Sequence, residues 1–177
     1  MGLALAMMRD GECIDRMEAG GYTYVHKFRA MLVLMFVAQA WQVPEADHDG
    51  IQSLLEWVKG LQPDPDAVEL TEDDLAKALW SADLGIHYDA IPEDLAAGCG
   101  FAFGSPAWNA AHGLRKLVDH SDCDGSLTIG EAIDVAALFD FLREPVIEPR
   151  PADADLIRRM GDFMRRAADG RWPIAFV

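Results

Sequence analysis

Basic residues, paired cysteines and long apolar runs are all scarce in this sequence. The 177 residues include 15 lysines and arginines against 30 aspartates and glutamates, which gives a net charge of −15. Because the phosphates of nucleic acids attract a basic surface, this charge argues against a nucleic-acid-binding protein. The charge suits a protein that binds cations, and it equally suits any acidic globular protein.

The few cysteines exclude two further classes of protein. Cys13, Cys99 and Cys123 form no Cys-x-x-Cys pair of a thiolate zinc site, and their odd number is unlike a disulfide framework.

The first residues lack the basic start of a signal peptide, and the most apolar run, 30–40, is too short to span a bilayer. We therefore expect a cytoplasmic protein without a membrane span, and the frequent Ala, Arg, Asp and Pro suggest a bacterial source.

Patterns typical of strands are rare as well, whereas patterns typical of helices are frequent. Residues 22–43 and 152–168 carry apolar side chains at helical spacing. Thr71 begins a capping-box pattern, and Ser105 followed by Pro106 is typical of a helix start. We therefore predict an all-α fold, built from helix–loop–helix units with a C-terminal helix.

Three prolines between residues 145 and 151 suggest a division of the chain. In this prediction residues 1–145 form a helical body of paired helix–loop–helix units. Residues 146–177 then hold a linker, the C-terminal helix and an apolar tail. The tail either docks on the body or contacts a protein partner. The methionine-rich helix faces are further candidate contacts, because methionine adapts to irregular apolar surfaces.

Two acidic segments have the spacing of a calcium loop, which brings several oxygens to one hard cation around a sharp glycine turn. The first segment, 45–56, offers the following ligands: Glu45, Asp47, Asp49, the Ile51 carbonyl, Ser53 and Glu56. The second segment, 120–131, offers Asp122, Asp124, the Ser126 carbonyl, Thr128 and Glu131, with Asp119 or His120 in the first place. Histidine is a poor calcium ligand, so we expect the first loop to be the tighter calcium site.

The two loops resemble those of the EF-hand superfamily, in the four-unit arrangement of sarcoplasmic and bacterial calcium-binding proteins. Degenerate remnants fit the same spacing, one at 83–94, about midway between the loops, and one upstream at Asp10-Gly11. The resemblance implies paired helix–loop–helix units that bind calcium. It also implies a calcium buffer or sensor without catalysis.

Two other families share parts of these patterns. His26, the His48-Asp49 pair and Asp119 occur in the order of the metal ligands in HD-domain phosphohydrolases. That resemblance implies an enzyme in which metal-activated water attacks a phosphate ester. The turn from Asp124 to Glu131 is also similar to turns in helical domains of the tellurite-resistance type, which implies a binding module without catalysis.

Overall fold

The computed structural model describes residues 2–61, 71–81, 83–120 and 125–177. The six strands of these residues are β1 (Gly2–Arg9), β2 (Glu12–Gly21), β3 (Val58–Lys59), β4 (Gly85–Ile86), β5 (Gly125–Leu127) and β6 (Ile174–Phe176). The helices are α1 (Tyr22–Ala40), α2 (His48–Ser53), α3 (Glu72–Leu79), α4 (Leu95–Gly98), α5 (Pro106–Asp119), α6 (Ile129–Phe141) and α7 (Pro151–Gly170). The fold is thus α+β, and the all-α prediction is wrong.

The larger sheet is antiparallel, has the strand order β2-β1-β6-β5, and starts from an N-terminal hairpin. Asp10 and Gly11 form its two-residue turn with φ of 52° and 86°, and a type I′ hairpin turn requires positive φ at both positions. The predicted loop remnant at Asp10-Gly11 is therefore a hairpin turn. β1 shows no alternation in its sequence because Leu3 to Met7 are all buried.

The C-terminal tail supplies an inner strand of this sheet. β6 lies between β1 and β5, with Leu5 opposite Phe176 and Leu127 opposite Ile174. The side chains of Ile174 and Phe176 are buried. The tail therefore docks on the body of the protein and joins the first strand to the strand that precedes α6.

Helix α6 packs between α5 and α7. Helix α1 packs against α2, α3, α5 and four strands, and its residues from Val25 to Ala38 are mostly buried on every side. Such a helix is typical of the centre of a core. The helix starts predicted at Thr71 and at Ser105 are confirmed by a capping box and by a hydroxyl cap with Pro106 next to it. No helix among the described residues is long and apolar enough to cross a bilayer.

A buried polar cluster joins the beginnings of α1 and α7. The Tyr24 hydroxyl donates a hydrogen bond to Asp153 at 2.6 Å, and Arg150 donates to the other carboxylate oxygen at 2.6 Å. Asp153 is only 1% exposed. Burial, followed by the hydrogen bond to Asp153, raises the pKa of Tyr24. The cluster fixes the first turn of α7 against α1.

Candidate functional site

The first predicted calcium loop, 45–56, contains the whole of helix α2 and most of the 3-10 turn that follows it. Asp47 caps this helix, because its Oδ1 accepts hydrogen bonds from the backbone N–H groups of Asp49 (3.1 Å) and Gly50 (3.2 Å). The Ile51 carbonyl accepts a backbone N–H at the end of the helix. Ser53 donates its hydroxyl hydrogen to the Gly50 carbonyl at 2.6 Å. These oxygens serve the helix and do not converge on a cation.

The acidic ends of the same segment, Glu45 and Glu56, are exposed. Over the described ranges no three His, Cys, Asp or Glu side chains come together in a group that could hold a metal ion. For this part of the chain the assignment as an EF-hand, calcium-binding or other metal-binding protein is therefore wrong. An Asp-x-Asp-Gly sequence suits a helix cap as well as it suits a calcium loop.

The second predicted loop, 120–131, follows α5, includes β5 and ends in the first turn of α6. Its residues Asp122 and Asp124 are outside the described residues. Nε2 of His120 lies 3.1 Å from the Ser126 carbonyl oxygen, where it donates a hydrogen bond. The His120 ring also stacks on Phe176, with 4.2 Å between the ring centroids. His120 thus holds β5 and β6 together in the structure.

The closing residues of this loop also have partners within the protein. Thr128 and Glu131 form a capping box at the start of α6, and Nζ of Lys116 lies 2.8 Å from the Glu131 carboxylate. The hydrogen bond from Lys116, with those from Thr128, lowers the pKa of Glu131 to about 2. Asp119 lies 3.8 Å from the guanidinium of Arg115.

The histidines and the aspartate suggested by the phosphohydrolase pattern do not form a metal site within the described ranges. Nδ1 of His26 lies 2.9 Å from the Tyr88 hydroxyl, which accepts a hydrogen bond from buried Arg29 at 2.8 Å. The His48 ring stacks on Trp41 with 4.2 Å between the centroids. The contact between His26 and Tyr88 joins α1 to the turn around Tyr88. The stacking of His48 on Trp41 packs α2 against the end of α1.

A groove of about 590 Å³ lies between α1, α6, α7 and the segment 143–150. Its lining is mainly apolar and comes from residues distant in sequence. The apolar lining consists of Met35, Phe139, Leu142, Pro145, Pro149, Ala154, Ile157 and Gly161. The charged lining consists of Arg143, Glu148, Arg158 and Arg165.

These arginines belong to a chain of ion pairs along the rim. Arg143 and Arg165 both donate to Oδ1 of Asp140, at 2.7 Å and 2.8 Å. Arg165 also pairs with Asp162. Arg158, one of the other lining arginines, pairs with Asp155 at 2.6 Å, and its guanidinium lies 3.8 Å from the Asp162 carboxylate. The three aspartates orient the guanidinium groups, and they do not themselves line the groove.

The segment 143–150 forms a fixed wall of the groove. Pro145 and Pro149 restrict its backbone, because the proline ring fixes φ. The Ile147 side chain is buried in the core, and the backbone N–H of Val146 donates to the side chain of Gln39 on α1 at 3.2 Å. The groove is therefore largely formed before any ligand arrives.

Reasoning from the sequence missed this groove. The prolines of its wall were interpreted as a linker, and the apolar face of α7 was interpreted only as core. A usable signal was present on α7, where Arg158 and Arg165 are seven residues apart and so lie on one helix face. Ile157 and Gly161 lie beside them and line the groove with them.

The predicted partner surfaces are buried within the protein, and of the four helix methionines only Met35 is among the residues that line the groove. The four helix methionines, Met31, Met35, Met160 and Met164, are buried, and the tail lies within the sheet.

No family model, no curated protein and no solved structure matches this chain.

Proposed function

We propose that this protein is a non-catalytic binding protein that holds an apolar ligand in the groove between α1, α6 and α7. The observation that carries this proposal is the volume of about 590 Å³ together with the mainly apolar lining. Sites for small molecules typically have volumes of about 300–1,000 Å³ and the same kind of lining.

The fixed walls of the groove support binding. Asp153 anchors the first turn of α7, and Ile147 anchors the proline-rich wall. A site that is already ordered loses less conformational entropy when its ligand binds, which raises affinity.

The chemistry of the lining supports binding rather than catalysis. The described lining residues include no His, Cys, Ser, Thr, Tyr or Lys, and Glu148 is their single carboxylate. General acid–base or nucleophilic catalysis needs such groups at hydrogen-bonding distance from the reacting atoms.

We also propose that the protein acts in the reducing cytoplasm. The two described cysteines, Cys13 and Cys99, are free thiols, which supports this proposal.

The test is a titration with Nile red, a neutral dye whose fluorescence rises in apolar sites. We expect saturable binding with one dye per protein. Ala154→Phe places an aromatic ring at the rim and should lower the affinity about tenfold or more, the loss expected when roughly 1.4 kcal/mol of contact is removed.

The matched control is Ala152→Phe. Ala152 is exposed in the same first turn of α7 but does not line the groove, so its replacement should leave dye binding unchanged. Circular dichroism and melting curves of both variants should match those of the wild type, because exposed substitutions usually change stability little. Equal dye affinity in the two variants, or no saturable binding by the wild type, would show that the groove is not the site.

A further inference from the structure

We propose that a second cavity, between the end of α1 and the beginning of α3, binds a small planar organic cation of the amidinium or guanidinium class. The cavity has a volume of about 230 Å³, and among the described residues its lining shares no member with that of the groove. Sites for drug-sized molecules typically have volumes of about 300–1,000 Å³, so this smaller cavity suits a ligand built on a single ring. The inference is independent of the function proposed for the groove.

The accessible part of the cavity lining is aromatic, amide and acidic. Trp41 and Gln52 are half-buried, whereas Gln42 and Glu72 are exposed. The apolar lining residues, such as Leu75, are almost fully buried. A ligand therefore meets chiefly the four accessible side chains, and their chemistry decides which ligand fits.

The Glu72 carboxylate has no ion-pair partner within the described ranges. Lys77, the lysine of the same helix, lies 4.0 Å from Asp74. The Gln42 amide, which is neutral, donates a long hydrogen bond of 3.4 Å to Oε1 of Glu72. The carboxylate thus keeps its charge and most of its capacity to accept hydrogen bonds, and a carboxylate accepts two parallel N–H groups of a planar cation in bidentate geometry.

The part of the chain that forms most of the cavity is acidic as well. Residues 41–79 contain ten aspartates and glutamates but only two lysines and no arginine. The whole chain has a net charge of −15. The local charge and the total charge therefore have the same sign, and both attract a cation.

The Trp41 ring gives the cavity an aromatic surface in a fixed orientation. The His48 ring stacks on it, with 4.2 Å between the centroids and 13° between the planes. Because His48 covers one face, a ligand in the cavity contacts the other face or the edge of the ring. Tryptophan is the strongest aromatic partner for a cation, and a planar guanidinium also stacks on such a ring. The ring therefore favours a flat ligand, and the Glu72 carboxylate favours one with charged N–H donors.

Three single-ring probes of similar size separate the contributions of charge and shape. Benzamidine is a planar cation, benzamide is its neutral analogue, and benzoate is an anion. In calorimetric titrations of the wild-type protein we expect one site for benzamidine, weaker binding of benzamide and no detectable binding of benzoate. Equal affinity for benzamidine and benzamide would overturn the cation site, and so would the absence of saturable benzamidine binding.

Glu72→Gln tests the carboxylate, because it removes the charge and keeps the shape of the side chain. It should weaken benzamidine binding about three- to tenfold, the usual effect of losing a charged hydrogen bond at a partly exposed site, and leave benzamide binding nearly unchanged. Asp73→Asn is the matched control, because Asp73 is exposed in the same helix turn and does not line the cavity. It removes the same charge and should leave both affinities nearly unchanged. Equal losses in the two variants would assign the attraction to the acidic surface in general and overturn the site.

Trp41→Phe tests the stacking contact. It should weaken benzamidine binding about two- to fivefold, because phenylalanine is a weaker partner for a cation. Trp80→Phe is the matched control, since Trp80 is 55% exposed at the end of α3 and does not line the cavity. Equal benzamidine affinity in the two tryptophan variants would contradict the stacking contact and with it the planar cation. Should melting curves show that Trp41→Phe unfolds, the pair Glu72→Gln and Asp73→Asn decides, because both change exposed side chains.

Nile red separates this cavity from the groove. Benzamidine should leave Nile red binding by the wild-type protein unchanged, and Ala154→Phe should leave benzamidine binding unchanged, because the two described linings are different. Displacement of Nile red by benzamidine would place the probe in the groove and overturn the second site. Failure of Nile red alone to bind would overturn only the function proposed for the groove.

Discussion

Asp153 should be one of the most important polar residues for stability, because it is buried and holds two partners. Replacement by alanine leaves the Tyr24 hydroxyl and the Arg150 guanidinium without their shared acceptor. A hydrogen bond to a charged group contributes about 1.5–3 kcal/mol, and a partly exposed ion pair adds up to about 1 kcal/mol. We therefore expect Asp153→Ala to lower the free energy of unfolding by about 2–4 kcal/mol.

The assay is urea denaturation together with a melting curve. For a chain of this size each kcal/mol lowers the melting temperature by about 2–4 °C, so the expected loss is about 4–16 °C. Asp153→Asn keeps the shape and one oxygen acceptor, and about half of the loss should remain. Nile red affinity should fall as well, since the first turn of α7 forms part of the groove.

The control is Asp155→Ala, two residues further along α7. Asp155 is 52% exposed and pairs with arginines in solvent, so its loss should leave the melting temperature nearly unchanged. If Asp153→Ala and Asp155→Ala lower the melting temperature equally, the buried cluster is not what fixes α7 against α1.

Three further predictions concern single groups. Folding raises the pKa of Tyr24 above its usual value of 10.0, so the stability that Tyr24 contributes is present below pH 10 and is lost at higher pH. Urea denaturation should therefore show a steeper alkaline loss for the wild type than for Tyr24→Phe, and parallel curves would contradict the prediction. Folding lowers the pKa of Glu131 from 4.5 to about 2, so its contribution is present above pH 4.5 and is lost as the pH falls through 2. Glu131→Gln should show a smaller acid loss than the wild type, and an unchanged acid loss would refute the pairing with Lys116. Asp47→Ala should cost about 1 kcal/mol through the lost helix cap, equally with and without calcium; a cost seen only with calcium would restore the first loop as a calcium site.

Local signals in the sequence predicted most of the helices. The hydroxyl at Ser105 and the ring at Pro106 act on the adjacent backbone, so their effect on the start of α5 can be read without knowing the fold. The same holds for Thr71 at the start of α3. Such caps depend on neighbours three residues away and are independent of tertiary packing.

The sheet could not be predicted in the same way. Residues 3–8 of β1 are all Leu, Ala or Met, which favour helices, and the burial of this strand on both faces removes the alternation of a half-exposed strand. β5 and β6 have three residues each and pair across a long separation in sequence. The one local signal was Asp10-Gly11, a preferred hairpin turn, and it was interpreted as part of a calcium loop.

The groove depends even more on tertiary structure. Met35, Phe139 and Ile157 become neighbours only when three helices pack, and no periodic pattern in the sequence links them. The acidic loops carried a stronger pattern, but Asp47 uses its Oδ1 to cap the backbone of α2. A pattern of ligand residue types shows which atoms are present, whereas a binding site also requires those atoms to be free to converge.

The most direct test of the groove as the binding site is a methyl spectrum of the protein with ¹³C-labelled methionines during titration with Nile red. Met35 lines the groove, Met7 lies in β1 of the sheet, and Met35→Leu identifies the first of these signals. We expect the Met35 methyl resonance to shift and saturate together with the rise in Nile red fluorescence, while that of Met7 stays in place. An unmoved Met35 resonance at saturating Nile red, or equal shifts of both methionines, would contradict binding in the groove.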